Sequence, residues 1–232
     1  MVDILIPWVA ITMIETHSLL RLQAWLSPSF PTGAFSYSHA LEQAVSDNKI
    51  HDRESLRQWI SSLVKYGTGW NDAVLLTESW RRSARDEDVA EVSGLAASMA
   101  FSRERHLETM AQGDAFMKAA SAWEEEADLA VGRRLALPVA VGHLAGIHRI
   151  DLEATLAVFL QAFASNQIQA ALRLLKIGQQ SGVIILAGLQ QLIIATASQA
   201  ANTSLDDLGS ASITADIAAM QHETLENRIF RS

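Results

Sequence analysis

The chain has no cysteine among its 232 residues. That excludes disulfides, thiolate zinc sites and cysteine catalysis together, and it fits a cytoplasmic setting. Positive charge is also scarce: 18 Lys and Arg stand against 26 Asp and Glu, a formal net charge of −8. Nonspecific nucleic-acid binding needs a basic face, so no nucleic-acid partner is expected. A phosphate-cradling loop is missing too, because Gly67 and Gly69 lead into Trp70 with no Lys-Ser or Lys-Thr. The seven histidines, His17, His39, His51, His106, His143, His148 and His222, are scattered, and none falls in a zinc-ligand pattern. His39 and Glu42 can share a helical face, but a di-iron bundle needs Glu-x-x-His in the other order, with further carboxylates. His143 and His148 are spaced so that one helix face cannot hold both. The acidic run Glu124 to Glu126 with Asp128 reads as a solvated face, and Asp206-Asp207 lacks a third spaced carboxylate. No catalytic residue, metal site or cofactor is therefore assigned.

What is present is helical. Hydrophobic residues make up 49% and charged residues 19%, enough for one domain with a sizeable core. Strand-like alternation is nearly absent. A first helix over Ser18 to Leu26 puts Leu19, Leu22 and Leu26 on one face. Ser36 or Ser38 caps a helix with Leu41 and Val45 that stops near Asp47 or Asn48. Asp52 caps the next, with Leu56, Trp59, Ile60 and Leu63 inward; Gly67 to Gly69 break it, and Asn71 or Asp72 restarts the chain. Asp86 to Asp88 form an acidic start, and an amphipathic stretch covers Met99 to Trp123. Asp151 caps a helix through Leu175 with Leu152, Leu156, Phe159 and Phe163 inward. Ser181 caps an apolar helix, Thr203 or Ser204 a short piece, and a last helix spans Thr214 to about Met220. The pattern predicts a single-domain all-α bundle of roughly nine or ten helices.

Two apolar runs need a decision about membranes. Residues 1–18 lack a basic leader, carry Asp3 and are interrupted by Pro7, so they read as an arm or as an extension ahead of a start at Met13. Val183 to Ala201 carries Gln190, Gln191 and Gln199, amides that are costly in lipid, and reads as a buried helix. No membrane segment is expected.

The most informative run is Ser27 to Glu42, SPSFPTGAFSYSHALE. Pro28 and Pro31 hold the backbone extended, and Gly33 frees one position for a positive φ. Phe35 and Tyr37 follow in a segment that is still loop, where a rigid ring is either a contact anchor or a plug for the core.

This run resembles the signature of the urease accessory protein F family, written close to SPxxPVGxFxxSxGLE. Three further segments resemble the family in the right order. Pro138, Val139, Ala140 and Gly142 match its PVAxG; Gln179, Ser181 and Gly182 match LGQxxGQ; His222, Glu223 and Thr224 open a match to HETxxxRLFxS. The resemblance covers about Leu19 to Ser232, leaving residues 1–18 outside it. Departures are Thr32 for a β-branched apolar residue, His39-Ala40 for Gln-Gly or Phe-Gly, and Val183 for Gln.

The resemblance implies a non-catalytic urease accessory protein that works with a D- or H-type accessory protein, the GTPase accessory protein G and apo-urease. Nickel is the cargo of that pathway, and the family has been likened to a GTPase regulator. Two partner-binding surfaces are expected. One is the loop with Gly33, Phe35, Ser36, Tyr37 and Ser38, with Glu42 either contacting the partner or bracing the loop. The other is a tail, 222–232, where His222, Glu223, Thr224, Arg228, Phe230 and Arg231 contact a partner, and which is mobile until it does so. Pro28, Pro31, Pro138, Gly142, Gln179, Ser181 and Gly182 are assigned structural roles. A homodimer is expected, since symmetric assemblies are common and the apolar second half offers surface, but the sequence does not locate its interface. The competing readings are a helical metal- or cofactor-dependent enzyme built on His39 and Glu42, and a generic helical adaptor.

Overall fold

The computed structural model describes the backbone of residues 6–123 and 134–232, and side chains within those limits from Thr16 onward. The acidic run Glu124 to Glu126 with Asp128 lies outside the described residues, as do the side chains of most of the expected N-terminal arm. The described chain is one all-α domain. Its helices are α1 (Ile6–Trp25), α2 (Leu41–Ser46), α3 (Arg53–Tyr66), α4 (Thr68–Ser83), α5 (Ala90–Ser98), α6 (Arg103–Ala120), α7 (Leu137–Ile147), α8 (Leu152–Leu174), α9 (Gln179–Ala200) and α10 (Ile213–His222). Short 3₁₀ turns occupy Ala34–Ser36, Ser121–Trp123 and Leu205–Asp207.

Helix α7 forms the centre, with every residue from Pro138 to Gly146 buried. Pro138 sits in its first turn, where a missing N–H leaves no intrahelical bond unmade. Gly142 and Gly146 let α4 approach at backbone distance: an added Cβ would stand 2.4 Å from the Leu76 carbonyl oxygen and 2.5 Å from that of Trp80. The contact is polar as well as close. Ser79 Oγ donates to the Val139 carbonyl at 2.7 Å, Trp80 Nε1 to that of Ile150 at 2.8 Å, and Ser83 Oγ meets His143 Nδ1 at 2.7 Å. Around this pair the core gathers Leu56, Ile60, Leu76, Phe116, Leu144, Leu156 and Leu160, all fully buried.

Local capping follows the sequence closely. Asp52 Oδ1 accepts the Ser55 N–H at 2.8 Å in a capping box, and Asp151 Oδ1 accepts that of Ala154 at 2.7 Å. Ser204 and Asp207 form a second capping box. The other end of α9 is tied down by Arg81, whose guanidinium donates to the Ala201 carbonyl at 2.7 Å and also to that of Thr203, a cation at a helix C-terminus.

Four expectations are corrected. Helix α4 starts at Thr68, directly after Gly67, so neither Asn71 nor Asp72 opens it. Gly178 is the N-cap of α9, and Ser181 lies inside its first turn. Leu19 is exposed, while Leu22 and Trp25 carry the buried face of α1. Helix α9 buries only one side: Gly182, Ile185, Leu189 and Ile193 are buried, Gly182 directly against Ile168, whereas Val183, Ile184 and Ile194 are exposed. Its length and mean hydropathy of 1.6 would suffice to cross a bilayer, but its inner face belongs to the bundle.

Candidate functional site

The loop and the tail meet. Gly33 has φ +76°, the left-handed turn foreseen for it, and opens the 3₁₀ turn carrying Phe35. Phe35 is 72% exposed, whereas Tyr37 is half-buried. Two backbone bonds then join the segments: Arg231 N–H donates to the Ser36 carbonyl, and Ser38 N–H to that of Ser232, each at 2.8 Å. Ser38 Oγ also bonds the Ser232 carbonyl and accepts the Glu42 N–H at 3.3 Å, so Ser38 serves tail and helix start at once.

Glu42 is the keystone carboxylate. Its side chain is buried at the start of α2, and its two oxygens accept the backbone N–H groups of Ile229 at 2.8 Å and Phe230 at 3.0 Å. The second oxygen also faces His222 Nε2 at 3.2 Å. The other ring nitrogen, Nδ1, lies 2.6 Å from Glu104 Oε2, and Glu104 pairs in turn with Arg228. His222 is fully buried between two carboxylates. Of the two roles open for Glu42, bracing is what its position performs.

A second buried cluster adjoins the first. His39 Nε2 lies 3.0 Å from Glu108 Oε1, Arg105 lies 3.5 Å from the same oxygen, and Arg105 donates to Asp72 at 2.7 Å. Ser232 Oγ donates to the other Glu108 oxygen at 2.9 Å, so the last residue reaches this cluster. Burial opposes ionisation of Glu108, but His39, Arg105 and the hydrogen bonds outweigh it and hold the carboxyl at about 2. At Asp72 burial prevails over Arg105 and His39, and the carboxyl is pushed up. For Arg105 burial works against the charge, yet Asp72 and Glu108 raise it further.

The expected mobile tail is thus corrected: 222–232 packs on the body, with His222, Phe230 and Ser232 buried. The Glu42 carboxylate, the Ser36 carbonyl and Ser38 satisfy the backbone of 229–232, which is what a free end lacks. Glu223 is exposed but caps α6 by accepting the Arg103 N–H at 2.7 Å, and Thr224 bonds only the Gln221 carbonyl. His39 and Glu42 do not share a helical face, because His39 has φ +51° and precedes α2; they pair with different partners, Glu108 and His222. Among the described residues no three His, Asp or Glu side chains are set to hold a metal ion. His39 and Ala40 both have positive φ, +51° and +63°. That accounts for glycine being usual at the second of these positions in the resembling pattern, since only glycine enters this region without strain.

Arg173 on α8 joins the two surfaces, and the sequence reading missed it. Its guanidinium lies 4.1 Å from the ring centroids of both Phe35 and Phe230, and it donates to the Phe35 carbonyl at 2.9 Å. Outward from this stack the surface presents Phe35, Pro28 and Pro31 from the loop, and Arg228, Ile229 and Arg231 from the tail. Glu104, Arg105 and Glu108 were missed as well. Their only sequence signal was a charge-rich first turn and a half of α6, which on its own reads as solvated.

Comparison with known proteins places this geometry in context. Residues 50–190 match the family model described as UreF. A urease accessory protein UreF of Rhizobium etli is 52% identical over 218 residues, covering 94% of this chain and 98% of the relative. A urease accessory protein UreF of Mesorhizobium japonicum is 51% identical over 215 residues, covering 93% and 96%. That of Brucella ovis is 51% identical over 222 residues, covering 96% and 97%.

Proposed function

Because this chain belongs to the UreF family of urease accessory proteins, we propose that it is a non-catalytic scaffold in urease maturation. In this reading it bridges a D- or H-type accessory protein and the GTPase accessory protein G to apo-urease, with nickel as the cargo of the assembly. One observation carries it: loop and tail form a single outward surface on a rigid base. Phe35 at 72% and Ile229 at 61% exposure flank cations of long reach on a protein of net charge −8. Rigid apolar anchors beside Arg side chains are the features that dominate protein recognition. The buried titratable groups support a scaffold over an enzyme, since Glu42, Glu104, Glu108, Asp72, Arg105 and His222 are committed to one another.

The homodimer belongs to the same proposal. Between Lys176 and Asp206 there is no Asp, Glu, Lys or Arg, and α9 leaves Val183, Ile184 and Ile194 outward. A face without charge meets its own copy with no like-charge penalty.

The test is co-purification with the D- or H-type protein and, separately, with the G protein. Phe35→Ala combined with Ile229→Asp changes exposed side chains only, so helical content should stay constant while capture of the D- or H-type partner falls at least about tenfold. Undiminished capture of both partners by this variant would remove the loop and tail from the proposal. GTP turnover by the G protein, with and without this chain, decides whether the scaffold also regulates hydrolysis.

A further inference from the structure

A cleft of ≈ 780 Å³ opens beside the loop, between the C-terminal end of α1, α6 and one face of α8. It lies within the size range of about 300–1,000 Å³ that holds an organic ligand. Its depth is aromatic, lined by Phe30, Phe116 and Phe159. Its α8 edge is different: Gln161, Asn166 and Gln169 all line it, and none of these amides has a hydrogen-bond partner among the described residues. The charges at its floor are already paired, Arg105 with Asp72 and Glu108, so they leave little to recruit a free ion or a phosphate. Arg173 at one end is held by the Phe35 carbonyl and two rings.

A row of free carboxamides over a trough of rings fits one kind of occupant. Each carboxamide offers a donor and an acceptor side by side, the complement of the N–H and C=O that one residue of an extended strand presents on the same side. The rings below take an apolar side chain. We propose that this cleft binds a short extended peptide segment of another protein, uncharged and carrying an aromatic or large aliphatic side chain. Recognition is by the backbone along α8 and by one inserted side chain. Pro28, Pro31, Gly33 and Phe35 also line the cleft, so this site adjoins the outward surface of Phe35 and Ile229. The peptide probe is titrated with no urease protein present, so its failure and the failure of the urease reading are distinguishable.

The probe is the acetylated, amidated pentapeptide Ser-Phe-Gly-Phe-Ser, titrated into the full chain. Side-chain amide resonances of Gln161, Asn166 and Gln169 and the tryptophan fluorescence are followed together. Saturable binding is expected, with all three amides shifting. Gln169→Ala, which alters an exposed side chain and leaves the fold intact, should weaken binding about fivefold. Ala162→Trp, which fills the cleft from α8, should abolish it; circular dichroism checks that this variant folds. Absence of saturation overturns the proposal, as does unchanged affinity in Gln169→Ala. Equal binding of benzyl alcohol, which has a ring and no amide, would leave an apolar hole without backbone recognition and would also overturn it.

Discussion

Glu42 and Phe230 are 188 positions apart in sequence and one hydrogen bond apart in space, at 3.0 Å. The same carboxylate holds the Ile229 N–H and faces His222, so one side chain in α2 serves three residues of the tail. Removing it leaves two buried donors unmet and a buried histidine with one carboxylate fewer. Glu42→Ala should therefore cost about 3 kcal/mol or more. Hydrogen exchange gives the sharper readout: amides of 229–232 should lose protection in Glu42→Ala while those of α7 keep theirs. Retained protection at Ile229 and Phe230 would mean that other contacts hold the tail.

The glycines separate close packing from mere flexibility. At Gly113 a Cβ would stand 1.9 Å from the Leu135 carbonyl oxygen, and at Gly142 2.4 Å from that of Leu76. Backbone cannot yield as a side-chain tip can, so Gly142→Ala should destabilise by about 3 kcal/mol, the upper end for overpacking. Gly94, inside α5, has nothing within 4 Å of its Cβ position, and Gly94→Ala should stabilise by about 0.5–1 kcal/mol through helix propensity. Urea unfolding of the two variants should move the midpoint in opposite directions. A shared direction would sink the assignment of the α4–α7 contact to glycine.

These cases also mark what the sequence could convey. Asp52, Asp151 and Ser204 were legible as caps because each acts on an N–H two or three residues away. The left-handed turn at Gly33 was legible for the same reason. Glu42 could only be left between contact and bracing, since its partners lie far along the chain at 222, 229 and 230. Glu104, Arg105 and Glu108 stood out only as part of an amphipathic stretch, because helical spacing cannot say that a tail, a histidine and α4 converge on that turn. Val183, Ile184 and Ile194 read as core on hydrophobicity alone, and only packing reveals that α9 covers one side. The tail read as loose because its bonding partners are not its neighbours.

Acid stability should report on Glu108. Its folded-state carboxyl is held at about 2 against an ordinary 4.5, so its contribution is present above the ordinary value and is lost as pH falls through the folded one. Between pH 4.5 and 2 that loss amounts to something on the order of 3 kcal/mol. Asp72 works the other way: its raised carboxyl favours the folded state at low pH and loses that contribution as pH rises. Urea midpoints measured stepwise across this window should fall steeply for the natural chain and less steeply for Glu108→Gln. Parallel slopes would show that Glu108 is not the group being protonated.

Arg173 provides the remaining prediction, because it touches the loop at Phe35 and the tail at Phe230. Its guanidinium stacks on Phe35 and Phe230 at 4.1 Å each and bonds the Phe35 carbonyl. A planar, weakly hydrated cation can do all three at once, whereas an ammonium cannot. Arg173→Lys should therefore behave nearly like Arg173→Ala, each losing about 1–2 kcal/mol from the two cation–π contacts and the hydrogen bond. In a double-mutant cycle, Phe35→Ala and Phe230→Leu should each couple to Arg173→Ala, because both rings lie against the same guanidinium. Full rescue by lysine would make the interaction one of charge alone, and the link between the two surfaces would then have to lie in the Ser36–Arg231 and Ser38–Ser232 backbone bonds.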